Sequence, residues 1–317
     1  MSEQKLRMIF MGTPDFAVAS LDALVRAGCN IVGVITAPDK PAGRGMKLTE
    51  SAVKKYAVEN GLHLLQPEKL KNPVFLEELR ALKADVQVVV AFRMLPEIVW
   101  NMPPLGTINL HGSVLPQYRG AAPIHWAVIN GEKETGVTTF KLKHEIDTGD
   151  ILLQKSFPIG EDETTGEVHD RMKLIGADLL VETISNMTNG NIQELAQSAV
   201  AGAQSAVLKH APKLTTEICQ INWNRPVDEL HNFVRGLSPF PGALTVLDDK
   251  ILKVYRSKKE HAADSQPAGK VFSDGKTFLR FSCADGYLYI LDLQLEGKKR
   301  MLVEDFLRGY HFSGNQN

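Results

Sequence analysis

Length and composition place this chain among ordinary globular proteins. It has 317 residues, of which 44% are hydrophobic and 23% are charged. Because domains usually hold about 50–200 residues, this length predicts two of them. The composition excludes disordered, collagen-like and disulfide-stapled proteins. The 36 basic and 37 acidic residues nearly cancel, so any contact with nucleic acid or an anionic membrane must be local.

The cysteines and the chain start indicate a compartment. Cys29, Cys219 and Cys283 are odd in number and lack the short paired spacing of a zinc site or a disulfide framework. The start of the chain does not have the pattern of a signal peptide, and no stretch approaches the roughly 20 apolar residues that span a bilayer. We therefore expect a cytoplasmic protein with no bound metal and no membrane contact. The sequence shows no heptad or exposed repeat, so we expect a monomer.

Strands and helices alternate over the first 110 residues. Apolar runs typical of strands occupy 6–11, 30–36 and 86–92, and helical periodicity occupies 16–28, 51–61 and 74–84. Ser51 is a candidate helix cap and Gly61 a candidate stop. The run at 86–92 is apolar on both faces, which is typical of a central strand in a parallel sheet. We therefore predict a Rossmann-like, open, mostly parallel α/β sheet.

The pattern changes in the second half of the chain. Two extended segments surround a polar connection after Gly136, and a long amphipathic helix follows at 164–187. Residues 191–216 have the composition of a linker. Beyond them, short strand-like segments at close spacing predict a small sandwich or barrel, and we expect an OB-like β-barrel. The predicted domains are 1–190 and 217–317, joined by the linker 191–216.

Basic residues are concentrated in the second domain. From Ser205 onward there are sixteen Lys and Arg against thirteen Asp and Glu, so this part is net positive while the part before it is net negative. Two clusters stand out: Arg256, Lys258 and Lys259, and Lys298, Lys299 and Arg300. Such clusters are ordinarily solvated surface, and the alternative is phosphate contact on RNA.

Three polar residues are candidates for catalysis. The first strand–helix turn lacks the G-x-G-x-x-G pattern, which disfavours a dinucleotide cofactor. Asn109 and His111 are two apart on a predicted strand and would project to one side, where an amide can stabilise an oxyanion and an imidazole can exchange a proton. Asp147 could orient that imidazole if it lay nearby. Without such proximity, polar strand ends and Asp-containing turns are common structural features.

Several separated motifs resemble one protein family. The segment 111–152, HGSVLPQYRGAAPIHWAVINGEKETGVTTFKLKHEIDTGDIL, is similar to the signature of the folate-dependent formyltransferases. The segments MIFMGTPDFAVASL, APDKPAGRGMKL and FVRGLSPFPGA, together with the second domain, resemble the branch of that superfamily that formylates methionyl-tRNA. The resemblance extends over nearly the whole chain, with the motifs in the family's order.

The resemblance implies a reaction and a set of residues. The donor would be 10-formyltetrahydrofolate, acting as co-substrate without a metal, and the acceptor would be the α-amine of initiator methionyl-tRNA. The implied catalytic residues are Asn109, His111 and Asp147. The implied folate contacts are Ser113, Val114, Leu115, Pro116, Phe92 and Met94. The implied tRNA contacts are Lys40, Arg44, Lys47, Arg256, Lys258, Lys259, Lys298, Lys299 and Arg300.

The chain departs from the family pattern at Arg93, which stands where relatives usually have a small residue. Two other functions remain open at this point. One is a folate-dependent formyltransferase with a ribonucleotide or an amino-sugar acceptor. The second is a non-catalytic RNA-binding protein on the same scaffold. The small basic β-domain favours a tRNA acceptor, and the presence of Asn109, His111 and Asp147 favours catalysis.

Overall fold

The structure is a computed structural model that describes residues 5–42, 47–203, 207–263 and 266–312. The strands are β1 (Arg7–Gly12), β2 (Asn30–Ile35), β3 (Lys40–Ala42), β4 (Lys47–Thr49), β5 (Leu64–Leu65), β6 (Val86–Val90), β7 (Thr107–His111), β8 (Arg119–Gly120), β9 (Glu134–Lys141), β10 (Ile151–Pro158), β11 (His210–Ala211), β12 (Ala243–Leu247), β13 (Lys250–His261), β14 (Val271–Ser273), β15 (Leu279–Cys283), β16 (Gly286–Leu295) and β17 (Met301–Leu302). The helices are α1 (Asp15–Arg26), α2 (Ala52–Glu59), α3 (Pro73–Ala81), α4 (Glu97–Trp100), α5 (Pro123–Ile129), α6 (Thr165–Thr188), α7 (Gln197–Ala203), α8 (Val227–Gly236) and α9 (Val303–Leu307).

The chain divides into two compact units, and it passes between them more than once. The first unit comprises 1–119, 136–157 and 169–209, and the second comprises 120–135, 158–168 and 210–317. The predicted linker, 191–216, contains α7 and β11, and its first part belongs to the first unit. Its mixed polar and small residues gave no periodic signal for these short elements.

A seven-stranded sheet forms the centre of the first unit, in the order β10-β9-β7-β6-β1-β2-β5. The pairs β1–β2, β1–β6, β2–β5 and β6–β7 are parallel, and β9 pairs antiparallel with β7. Every residue of β6 is buried, as the two-faced apolar run had indicated. The prediction of an open, mostly parallel α/β sheet is confirmed. The carboxyl ends of β1, β6 and β7 meet at one edge, and the chain reverses direction of travel across the sheet between β1 and β6, where such folds bind ligands.

Local signals position the helices of this unit. The Ser51 hydroxyl accepts a hydrogen bond from the Lys54 amide at 3.0 Å and caps α2, as predicted. The Asn72 side chain caps α3 in the same way, accepting from the Val74 amide at 2.9 Å. Gly61 has a φ of +62°, the left-handed conformation that glycine adopts easily after a helix. These caps fix where the connections to the sheet begin.

The second unit contains a six-stranded antiparallel half-barrel. Its strand order is β12-β13-β16-β15-β14, and β17 pairs with β16. The twelve-residue β13 pairs with both β12 and β16, and α8 and α9 contribute buried residues to the core under this sheet. Trp223 stacks on Phe281 with ring centroids 4.4 Å apart. The predicted second, smaller antiparallel β-domain is confirmed.

Within the described ranges, none of the helices combines the length and the apolar character needed to cross a membrane.

Candidate active site

Asn109 and His111 lie on β7, next to the centre of the parallel sheet. Asn109 pairs with Val89 on one side and Phe140 on the other. Its side chain is half-buried and has no hydrogen-bond partner among the described residues. An amide held on a rigid strand with its N–H groups unused can donate to a substrate oxygen without losing a bond within the protein.

The contacts of His111 determine which nitrogen of its neutral ring carries the proton. The residue is 6% exposed, and its Nε2 lies 2.9 Å from the Tyr118 carbonyl oxygen. A carbonyl oxygen can only accept, so Nε2 carries a proton and donates it. In the neutral ring, Nδ1 therefore holds the lone pair. The edge-on packing of the ring against Phe140, with centroids 6.4 Å apart, further fixes its plane.

Asp147 approaches the free nitrogen of that ring. Its Oδ2 lies 3.8 Å from His111 Nδ1, and its side chain is 11% exposed. This separation is too long for a hydrogen bond, yet two opposite charges so close and so shielded from water attract strongly. The sequence predicts that Asp147 orients the imidazole. In the structure the Tyr118 carbonyl holds the ring, and Asp147 faces the nitrogen that can take up a proton.

The connection 142–150, which carries Asp147, is bonded to the sheet at both of its ends. The Leu142 amide donates to the carbonyl of Thr107 on β7 at 2.8 Å, and the Asp150 carbonyl accepts from the Lys141 amide on β9 at 3.0 Å. Gly149 lies so close to β9 that an added Cβ would stand 1.5 Å from the Lys141 carbonyl oxygen. Only glycine fits there, so this position pins the connection against the sheet.

The predicted folate loop packs tightly under the site. The Leu115 amide donates to the Thr138 hydroxyl at 3.1 Å, and the Leu115 carbonyl accepts from Gln154 at 2.8 Å. The Leu115 side chain is fully buried against Phe140 and Ile151. Ser113 donates from its hydroxyl to the Gln117 carbonyl at 2.6 Å. Of the four predicted loop contacts, Ser113, Leu115 and Pro116 are buried and Val114 is partly exposed, so Val114 is the most accessible side chain of the loop.

Phe92 and Met94 follow β6, close to the point where the chain changes direction across the sheet. Met94 is 76% exposed, while Phe92 packs partly buried against the core. The Arg93 guanidinium between them donates to the carbonyls of Pro67 and Glu68, and desolvation lowers the pKa of Arg93. Arg93 is thus bonded to residues 67–68, which leaves Met94 as the exposed side chain of this segment.

Two of the predicted tRNA contacts in the first unit, Lys40 and Lys47, lie on a two-stranded hairpin. β3 and β4 pair antiparallel, with Lys40 opposite Thr49 and Ala42 opposite Lys47. Lys40 is exposed. Arg44 lies outside the described residues.

The six predicted contacts in the second unit fall into two groups. Three are ion-paired inside the unit: Arg256 with Glu167 at 2.6 Å, Lys259 with Asp228 at 2.7 Å and Glu161 at 2.9 Å, and Arg300 with Asp292 at 2.5 Å. Hydrogen bonds to Asp228 and Glu161 raise the pKa of Lys259. Lys258, Lys298 and Lys299 are exposed and have no ion partner among the described residues. These three are the strongest candidates for phosphate contact.

In the ranges that the structure describes, no three His, Cys, Asp or Glu residues come together as metal ligands. His144, which is near Asp147 in sequence, pairs with Glu97 at 3.4 Å and is 80% exposed.

Two family models match most of the chain. Residues 5–184 match the family model described as formyl transferase, and residues 213–311 match the formyl transferase C-terminal domain. The chain belongs to the formyl transferase family.

Two curated relatives to which the chain is similar over almost its whole length are methionyl-tRNA formyltransferases. The chain is 54% identical over 316 residues to the methionyl-tRNA formyltransferase of Parabacteroides distasonis, an alignment that covers 98% of this chain and 97% of the relative. It is 50% identical over 318 residues to the methionyl-tRNA formyltransferase of Bacteroides fragilis, with 99% and 98% covered. Among solved structures, the N-formyltransferase of Helicobacter canadensis shares the fold at a TM-score of 0.63 and 20% identity, covering 93% of this chain and 100% of that one.

Sequence reasoning missed two parts of the site. The Tyr118 carbonyl is a backbone group, and no residue pattern announces it. Gln197, which bonds to the backbone at Asp147, lies in the stretch that composition assigned to a linker. A buried glutamine among exposed Ala, Ser and Gln residues leaves no periodic signal that could have singled it out.

Proposed function

We propose that this enzyme transfers the formyl group of 10-formyltetrahydrofolate to the α-amine of initiator methionyl-tRNA. The observation that carries the proposal is the placement of His111 Nδ1 3.8 Å from a shielded Asp147 carboxylate, beside Asn109 on the same strand. Support also comes from relatives named for this activity that are about half identical over almost the whole chain. Translation initiation would place the enzyme in the cytoplasm.

The proposed reaction needs a hydrogen-bond donor for an oxyanion. The amine nitrogen attacks the formyl carbon, and negative charge develops on the formyl oxygen. The Asn109 amide, which has no partner among the described residues, would donate to that oxygen. A preorganised donor on a strand stabilises the developing charge without reorganisation.

The reaction also needs a proton carrier. The attacking amine must lose a proton as the new C–N bond forms, and N10 of the folate must gain one as its bond to the formyl carbon breaks. His111 Nδ1 would take up the first proton and deliver the second, because Nε2 is already occupied by the Tyr118 carbonyl. Asp147 would stabilise the imidazolium that exists between these two transfers.

Recognition of the tRNA would use local charge. The exposed Lys258, Lys298 and Lys299 would contact phosphates, while Lys40, Lys47 and Arg44 would contact the acceptor end. The ion-paired Arg256, Lys259 and Arg300 would add less, because each already has a carboxylate partner.

One assay separates the candidate functions. The purified protein is incubated with 10-formyltetrahydrofolate and, in parallel, with charged initiator tRNA, the same tRNA uncharged, a ribonucleotide amine and an amino-sugar nucleotide. We expect formylation of the charged initiator tRNA alone. Preferred formylation of either small acceptor would refute the tRNA assignment, and tight tRNA binding without formyl transfer to any acceptor would refute catalysis.

A further inference from the structure

Gln197, the first residue of α7, is a buried side chain that connects several parts of the catalytic site. It is 3% exposed. Its Nε2 lies 2.9 Å from the Asp147 carbonyl oxygen and 2.8 Å from the Gly149 carbonyl oxygen. Its Oε1 lies 3.0 Å from Arg119 Nε and 2.6 Å from Arg119 Nη2. All four possible bonds of the amide are therefore formed within the first unit.

The chemistry of the partners fixes the orientation of this amide. Carbonyl oxygens only accept hydrogen bonds, and a guanidinium only donates them. The NH₂ group must therefore face the connection that carries Asp147, and the oxygen must face Arg119. Rotating the amide by 180° would break all four bonds and place donors against donors and acceptors against acceptors. Leaving buried polar groups unpaired in this way lowers stability strongly.

The contacts close a ring around the catalytic pair. His111 Nε2 donates to the carbonyl of Tyr118, which is covalently joined to Arg119. Arg119 donates to Gln197, and Gln197 donates to the backbone of Asp147. The Asp147 carboxylate then faces His111 Nδ1 at 3.8 Å. Both nitrogens of the imidazole are thus connected to the Arg119–Gln197 bridge. Nε2 is connected to it through the carbonyl of Tyr118, and Nδ1 through the carboxylate of Asp147.

A second contact places the segment before α7 against the same connection. The amide and carbonyl of Ile151 exchange hydrogen bonds with those of Leu195, at 2.8 Å and 2.9 Å. Lys141, the last residue of β9 before the connection, pairs with Glu194. Residues 194–197 therefore bond to the middle of the connection, through Gln197, and to the two strand residues that flank it.

From this geometry we propose that Gln197, braced by Arg119, is a positioning residue that sets the distance between the Asp147 carboxylate and His111. The proposal rests on the formyl-transfer function proposed above. Asp147 itself has a φ of +55°, a conformation that non-glycine residues adopt infrequently and that needs support from its surroundings. The two hydrogen bonds from Gln197 at residues 147 and 149 provide that support.

Three variants test the role. Gln197→Met keeps the size of the side chain and removes every hydrogen bond. Gln197→Glu keeps an acceptor for Arg119 and replaces the donor to the Asp147 connection by a carboxylate oxygen, which the carbonyl oxygens of Asp147 and Gly149 repel. Gln193→Met is the matched control, since Gln193 is an exposed glutamine of the same segment.

The kinetic readout separates positioning from folding. We expect both Gln197 variants to lower kcat by roughly 10- to 100-fold, as a displacement near 1 Å can do, with KM for folate and for tRNA unchanged within about twofold. Gln193→Met should match the wild type. In the Asp147→Asn background, Gln197→Met should add less than about a threefold loss, because the group it positions is already removed. A wild-type kcat in Gln197→Glu, or fully additive losses, would overturn the proposal.

Hydrogen exchange tests whether Gln197 holds the Asp147 connection in place, without an activity assay. Amides of residues 145–150 should exchange at least tenfold faster in Gln197→Met than in the wild type and in Gln193→Met. Unchanged exchange would overturn the proposed role of Gln197 even in a fully active enzyme. A wild-type protein that formylates no tRNA, yet shows the exchange difference, would instead refute the proposed function and retain the Arg119–Gln197 bridge.

Discussion

Replacing Asp147 by asparagine removes one negative charge beside His111 while keeping the shape of the side chain. Asparagine also tolerates the left-handed backbone of this position, so the connection should keep its course. Unit charges 3.8 Å apart attract by about 4 kcal/mol at an effective dielectric constant near 20. That attraction exists only while His111 is protonated, and so it stabilises the transition state and not the bound substrates. Since about 1.4 kcal/mol corresponds to a factor of ten, kcat should fall roughly 10³-fold with little change in KM.

Single-turnover formylation of charged initiator tRNA at saturating folate measures this effect directly. Asp150→Asn is the matched control, because Asp150 lies in the same connection and pairs with Lys143 at 2.7 Å, away from the imidazole. We expect Asp150→Asn to retain turnover within a few fold. If Asp147→Asn loses less than threefold, the carboxylate does not stabilise an imidazolium, and proton transfer through His111 Nδ1 is refuted.

Three other perturbations follow from the structure. Gly149→Ala should lower the free energy of unfolding by about 1–3 kcal/mol and abolish most turnover. Gly309→Ala, which adds its Cβ in open space, should change neither the thermal denaturation nor the kinetics. Equal stability of the two variants would refute the close packing at Gly149. Burial holds the pKa of His231 below its ordinary value of 6.5, so the unfolded chain binds a proton at this residue more readily than the folded chain does. The contribution of neutral His231 to the free energy of unfolding is therefore complete above pH 6.5 and is lost as the pH falls through the lower folded-state pKa. Thermal melts at pH 8 and pH 5.5 should therefore converge in His231→Gln, and an unchanged pH dependence would contradict this. The double variant Lys298→Ala/Lys299→Ala should reduce the slope of log Kd for tRNA against log salt by about 2, and an unaltered slope would remove both lysines from the interface.

Much of the first unit could be predicted because its signals are local. Each residue of β6 is buried on both faces, so the apolar run alone identified a central strand. The cap at Ser51 needs only residues 51–54, and the spacing of Asn109 and His111 on β7 needs only the period of a strand. Family motifs then indicated the chemistry, since they preserve residues whose spatial proximity the sequence alone does not reveal.

What the sequence could not predict depends on contacts between distant residues. The approach of Asp147 to His111 depends on the course of the connection 142–150, which composition does not encode. The carboxylate partners of Arg256 and Lys259 likewise come from distant segments, so a count of basic residues overestimated the free charge of the second unit. Segments 120–135 and 158–168 group with the second unit, and no local pattern in those segments indicates this.

The course of the connection 142–150 limits how this scaffold can change. It is attached to β7 at its start, fixed by Gly149 against β9 near its end and bonded to Gln197 between. Its length therefore determines where the Asp147 carboxylate lies relative to His111. One inserted residue would change the position of the Asp147 carboxylate relative to the imidazole. The β3–β4 hairpin forms a sheet of its own, apart from the seven central strands. Variation in acceptor choice should therefore accumulate in that hairpin and in the second unit, while the connection keeps a constant number of residues.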